Sequence, residues 1–151
     1  MNKDNLTNMR HSCSHVLATA VIKLFPKTKL GIGPAIKDGF YYDFEFIKPP
    51  EEKDLEKIST SMSQIIKEKL PFIKKEVTIE AAKKIFKDQP YKLELIEELV
   101  KEGNKKVSLY QSGEFIDLCR GPHLANTAQI GPFKLLSIAG AYWRGARKTK
   151  C

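Results

Sequence analysis

Lys29-Leu30-Gly31-Ile32-Gly33-Pro34-Ala35-Ile36-Lys37-Asp38-Gly39-Phe40-Tyr41-Tyr42-Asp43-Phe44-Glu45-Phe46 sets two β-prone runs on either side of an Asp-Gly pair. That arrangement is a strong short-range hairpin signal and commits this part of the chain to antiparallel pairing. In the second run Phe40, Tyr42, Phe44 and Phe46 share one face, and Tyr41, Asp43 and Glu45 the other, the alternation of a half-buried strand. Tyr42 stands apart among the phenylalanines. A buried hydroxyl needs a partner, which makes Tyr42 a candidate site residue as well as a core one.

Upstream, apolar residues at Met9, Val16, Leu17, Ala20, Val21 and Leu24 have the spacing of a buried helical stripe over about residues 5–25. Pro26 forbids its continuation. Downstream, Pro49-Pro50-Glu51-Glu52 feeds a second helix, with Leu55, Ile58, Met62, Ile65, Ile66 and Leu70 as its stripe and Pro71 as its stop. A strand over 72–77 follows, then a short helix capped by Thr78 and reaching residue 86. Asp88-Gln89-Pro90 breaks the chain before a helix over 91–101. Strands are expected at 106–110, 114–118 and 131–138. Helices alternate irregularly with hairpins, so the expected class is α+β, an antiparallel or mixed β-sheet with helices packed on one face.

Two short stretches carry the candidate chemistry: His11-Ser12-Cys13-Ser14-His15 and Cys119-Arg120-Gly121-Pro122-His123. On a helix His11 and His15 project from one face, while a Gly-Pro loop can aim Cys119 and His123 at a common point. Imidazole and thiolate suit zinc: four protein ligands favour a closed structural site, three plus water a catalytic one. A His or Cys pair that positions water without metal is the rival. The bland alternative is a core helix and a buried thiol. All three histidines of the chain belong to this set, which favours a site.

The 151 residues suffice for one domain with a substantial core. Lys+Arg number 26 against 18 Asp+Glu, a net charge of +8, which favours a polyanionic partner such as nucleic acid. Three cysteines, two of them beside histidines, form no disulfide framework and fit a reducing cytoplasm. No apolar run approaches the roughly 20 residues that span a bilayer, and no secretory signal opens the chain. Tyr142-Trp143-Arg144, backed by Arg147, Lys148 and Lys150, suits phosphate and base contact. It equally suits packing followed by a basic tail.

Taken together, His11-xxx-His15, Gly33-Pro34-Ala35-Ile36-Lys37-Asp38-Gly39-Phe40-Tyr41-Tyr42-Asp43, Pro90-Tyr91-Lys92, Asp117-Leu118-Cys119-Arg120-Gly121-Pro122-His123 and Ala139-Gly140-Ala141-Tyr142-Trp143-Arg144-Gly145 resemble the N-terminal editing domain of bacterial threonyl-tRNA synthetases. That domain belongs to the threonyl/alanyl-tRNA synthetase second additional domain superfamily. The resemblance implies hydrolysis of mischarged seryl-tRNA(Thr), with the tRNA(Thr) acceptor 3′ end and the remainder of a synthetase as partners. It implies catalytic roles for His11, His15, Lys92, Cys119 and His123, and substrate contacts from Tyr42, Asp117 and Arg120. By pattern alone Lys92 reads as a solvated helix lysine. Alanyl-type relatives use the set His11, His15, Cys119 and His123 for zinc, whereas threonyl-type relatives edit without a required metal. No obligatory cofactor is therefore expected, with zinc as an option.

The expected division is an editing domain over 1–143 and the start of a linker over 144–151. The chain departs from the pattern in lacking a β-grasp domain before the histidine helix and ATP-site motifs after Gly145. Aminoacylation is thus not expected of it, and it reads as an excised piece or a free-standing trans-editing protein. Two other readings share its features: a non-catalytic, zinc-stapled tRNA-binding module, and a deacylase for a different mischarged tRNA.

Overall fold

A computed structural model describes residues 3–33, 35–37, 39–48 and 50–136. Helix α1 (Lys3–Leu24) buries Cys13, Val16, Ala20 and Val21 against Ile58, Met62 and Ile65 of α2 (Glu52–Lys67). At the start of α2 the Asp54 carboxylate accepts from the Glu51 backbone N–H at 2.7 Å, one arm of a capping box. The helix stops three residues before its apolar stripe does. Lys69 turns to φ +54, Leu70 precedes a proline and is disfavoured in α conformation, and its N–H is taken by Thr127 Oγ1 at 3.0 Å.

The hairpin forms as two short antiparallel ladders. Strand β1 (Lys29–Leu30) pairs with β4 (Phe44–Glu45), and β2 (Ala35–Ile36) with β3 (Gly39–Phe40). Between the ladders Gly33 lies against the Tyr42 ring, where a Cβ would overlap the ring carbons. The expected alternation holds: Tyr42 is buried, and Tyr41 and Glu45 are exposed.

Strands β5 (Ile73–Thr78), β6 (Lys106–Ser112) and β7 (Phe115–Leu118) make a three-stranded antiparallel sheet in that order. Val107 and Leu109 of β6 turn to α3 (Ile79–Ile85) and α4 (Pro90–Lys101), closing a core with Ala82, Phe86 and Ile96. Thr78 caps α3 as expected, accepting from the Ala81 N–H at 3.2 Å. The alternate residues Tyr110, Ser112 and Asp117 face the other way, towards α1. The class is α+β, and the second sheet face is covered too, by α1 and the candidate site.

The strand expected over 131–138 is absent from 131–136, which pair with no other strand. Pro132 has no N–H for a ladder, and Phe133 and Leu135 pack instead on the α1–α2 core. Residues 137–151, with Trp143, Arg144 and the basic cluster, lie outside the described residues. Among the described residues no helix is long and apolar enough to cross a membrane.

Candidate active site

Asp117 sits at the centre of the site. Strand β7 places it opposite Tyr110 of β6, on the face turned to α1. Its Oδ2 accepts from the Tyr42 hydroxyl at 2.7 Å. Its Oδ1 accepts from the Leu118 N–H at 2.8 Å and pairs with Lys92 Nζ at 2.7 Å. Lys92, only 1% exposed, comes from the first turn of α4, behind Pro90 at the helix start. An ammonium there opposes the helix dipole and is costly to bury alone, so Asp117 is what allows the arrangement. Lys92 Nζ also lies 5.3 Å from the Tyr42 ring centroid, within cation–π range. Burial first, and the Asp117 charge second, hold the Tyr42 phenol well above its ordinary pKa, so it stays a donor.

Beside this trio stands a sulfur flanked by two imidazoles. Cys119 Sγ is 3.3 Å from His11 Nε2 and 3.4 Å from His123 Nε2, and it accepts from the Gly121 N–H at 3.2 Å. The two rings stack with centroids 4.5 Å apart. The loop that does this depends on Gly121, at φ +77, where a Cβ would overlap the Tyr110 hydroxyl. Burial raises the Cys119 thiol to about 11 and lowers His123 to about 2. It lowers His11 as well, against a hydrogen bond to the Pro122 backbone that works the other way. All three are therefore neutral at pH 7.

His15 is not part of that trio of ligand atoms. One helical turn shares a face with His11 but displaces it by ~6 Å along the axis. Its Nε2 meets Ser112 Oγ at 3.0 Å, and its Nδ1 has no partner among the described residues. Phe72 and Phe115 pack edge-on to its ring, and burial lowers its pKa to about 4. Arg120 is exposed at the rim. His11, Lys92, Asp117, Cys119, Arg120 and His123 line one cleft of about 230 Å³.

Two further groups were not legible as site residues. Ser14 Oγ reaches the Gly33 carbonyl at 2.6 Å and ties the Tyr42 loop to α1. Ser12 Oγ lies 3.0 Å from His123 Nδ1. The available signal was two serines, middling helix formers, inside a helix between two histidines. For a metal, His11, Cys119 and His123 fit: their ligand atoms all lie within 4.8 Å of one another. Two imidazoles and a thiol are a zinc donor set with a fourth position open, and Ser12 is a partner for the outer ring nitrogen of His123.

The sequence family described as "Threonyl and Alanyl tRNA synthetase second additional domain" matches residues 107–150. The chain is 57% identical over 143 residues to a threonine–tRNA ligase of Thermotoga maritima, covering 92% of the chain and 22% of that protein. It is 51% identical over 144 residues to one of Dehalococcoides mccartyi, covering 95% and 24%. A third, from Borrelia turicatae, is 53% identical over 150 residues, covering 98% and 25%. Residues 107–150 belong to the threonyl/alanyl-tRNA synthetase second additional domain family. The chain spans about a quarter of the length of these relatives. The family stretch takes in β6, β7 and the Cys119 loop. The α1 and α4 halves of the site lie outside it, within the 98% of the chain shared with the Borrelia turicatae protein.

Proposed function

We propose that this cleft hydrolyses the ester bond of seryl-tRNA(Thr), as the editing domain (residues 1–143) of a cytoplasmic threonyl-tRNA synthetase, with residues 144–151 opening the linker to its remainder. The observation that carries this reading is the buried Lys92–Asp117 pair, its carboxylate bonded by the Tyr42 hydroxyl, opening on the same cleft as His11, Cys119 and His123. A buried ionisable group with a specific charge partner, sitting in a cleft, is a candidate functional site. The cleft volume of about 230 Å³ is below the roughly 300–1,000 Å³ of pockets that enclose whole small ligands. It suits the aminoacylated end of a larger molecule, and the net charge of +8 suits that molecule being RNA.

Ester hydrolysis needs a held water, donors for the oxyanion and a proton for the leaving ribose oxygen. In this reading the Lys92 ammonium faces the carbonyl as its charge develops. Cys119, a thiol at neutral pH, and the neutral imidazoles of His11 and His123 hold the water by hydrogen bonds rather than by covalent attack. Tyr42 and Asp117 meet the serine moiety and the ribose, His15 lines the cleft beside the cluster, and Arg120 meets the RNA backbone. Zinc is not required; bound at His11, Cys119 and His123 it would supply a Lewis acid. A purely structural zinc staple takes four protein ligands, and only three stand together among the described residues, which favours the catalytic reading.

The selective logic is a second sieve. A missing methyl is worth only about 1–3 kcal/mol in a binding pocket, so a synthetic site that selects threonine leaks serine. A hydrolytic cleft too small for the extra methyl removes what leaked. The test is deacylation of seryl- and threonyl-tRNA(Thr) compared side by side. Seryl ester should be cleaved and threonyl ester spared, with activity lost in Lys92→Ala and His11→Ala. Full activity in both variants, or equal cleavage of both esters, overturns the proposal.

A further inference from the structure

The protons of the sulfur–imidazole cluster can be placed by elimination, beginning at Ser12. Its side chain is fully buried, and among the described residues Ser12 Oγ has two partners: the Leu124 N–H at 2.9 Å and His123 Nδ1 at 3.0 Å. The Leu124 N–H can only donate, so it takes one Oγ lone pair. The one hydroxyl proton is left for the only acceptor present, His123 Nδ1. His123 then carries its own proton on Nε2, aimed at Cys119 Sγ. That sulfur already accepts from the Gly121 N–H, so the thiol proton points at His11 Nε2. His11 Nε2 is then the acceptor of that bond, so in the neutral ring the His11 proton belongs on Nδ1. Each bond from Ser12 through His123 and Cys119 to His11 then has one donor and one acceptor.

We propose that Ser12 is a positioning residue, whose buried hydroxyl holds His123 in the Nε2–H tautomer and so gives two chemically identical imidazoles opposite roles. Through Ser12, His123 presents a donor to the sulfur and the cleft. His11 presents an acceptor. The assignment of tautomers stands on geometry alone; its catalytic consequence rests on the deacylase reading above.

The test is a long-range ¹H–¹⁵N spectrum of the uniformly ¹⁵N-labelled, metal-free chain at pH 7.5, where six imidazole nitrogens report three tautomers. His123 should give the Nε2–H pattern. Ser12→Ala should move it away from that pattern, and Ser12→Thr, which keeps the hydroxyl, should restore it, with His15 unchanged as an internal control. In deacylation, Ser12→Ala should lower kcat about tenfold with KM within about twofold, as loss of an outer-shell partner does, and Ser12→Thr should recover most of it. An Nδ1–H pattern in the unsubstituted chain, or a pattern indifferent to Ser12→Ala, overturns the proposal. So does a Ser12→Ala protein that changes tautomer yet keeps full kcat. If no form of the chain deacylates seryl-tRNA, the functional reading fails while the spectrum still decides the role of Ser12.

Discussion

At the scale of single residues, Lys92 is held at 1% exposure by one carboxylate. Removing one member of a buried pair leaves the other charged and unmatched, which costs roughly 3–5 kcal/mol. Lys92→Ala should therefore lose both deacylation and stability. Neutralising both members separates the effects: Lys92→Met with Asp117→Asn leaves an amide for Tyr42 and should regain much of the stability while staying inactive. Urea midpoints alongside single-turnover deacylation read this, and a double variant that regains activity removes Lys92 from the chemistry. A second prediction concerns ligands. His11, Cys119 and His123 converge and His15 does not, so alanine at any of the three should weaken zinc binding at least tenfold by calorimetry, whereas His15→Ala should change it by less than about threefold. Equal losses at all four positions would restore His15 to the set.

Elements bring these residues together, and their junctions are tight. The Gly33 turn between the two short ladders touches the Tyr42 ring, and Ser14 on α1 holds the turn by its carbonyl. Gly33→Ala should therefore push the Tyr42 ring away and lengthen its bond to Asp117 without touching the sulfur–imidazole cluster. The expected result is a loss of about 1–3 kcal/mol from overpacking, with impaired deacylation and unaltered zinc affinity. Unchanged activity in a stable Gly33→Ala protein would mean that the Tyr42–Asp117 contact is dispensable. The Cys119 loop has a parallel constraint at Gly121, against the Tyr110 hydroxyl. In both places a glycine lets backbone approach an aromatic side chain that touches the site: Tyr42 bonds Asp117, and the Tyr110 ring lies edge-on to His123 at 4.4 Å.

Taken whole, the molecule hides titratable groups on the inner face of its sheet, and its stability must follow pH accordingly. His15 falls to about 4 and His123 to about 2 in the folded chain, against about 6.5 when unfolded. Below that value the unfolded chain binds more protons, so stability falls as pH falls. The contribution is complete above pH 6.5 and declines by about 1.4 kcal/mol per pH unit for each imidazole kept neutral. Between pH 7 and pH 5 the loss should be on the order of 2–4 kcal/mol, read as a drop in urea midpoint. A midpoint flat across that range would mean that these imidazoles are not buried neutral.

Much of this was legible in the letters. The period of Met9, Val16, Leu17 and Ala20, the prolines at 26 and 71, Thr78 as a cap and Asp-Gly as a turn each act within a few residues. Local rules suffice for effects that local sterics and hydrogen bonds decide, and they gave α1 to α4 and the antiparallel pairing. Motif letters also marked His11, Cys119 and His123. Tertiary structure alone decided that Lys92 is buried, because the carboxylate that makes burial tolerable lies 25 positions along the chain on another element. It separated His15 from the ligand trio, since a turn of helix moves a side chain along the axis while keeping its face. It also denied a strand to 131–136, whose apolar side chains found the α1–α2 core. Whether a polar side chain ends in water or in a site depends on what stands opposite it, and that is a property of the assembled fold.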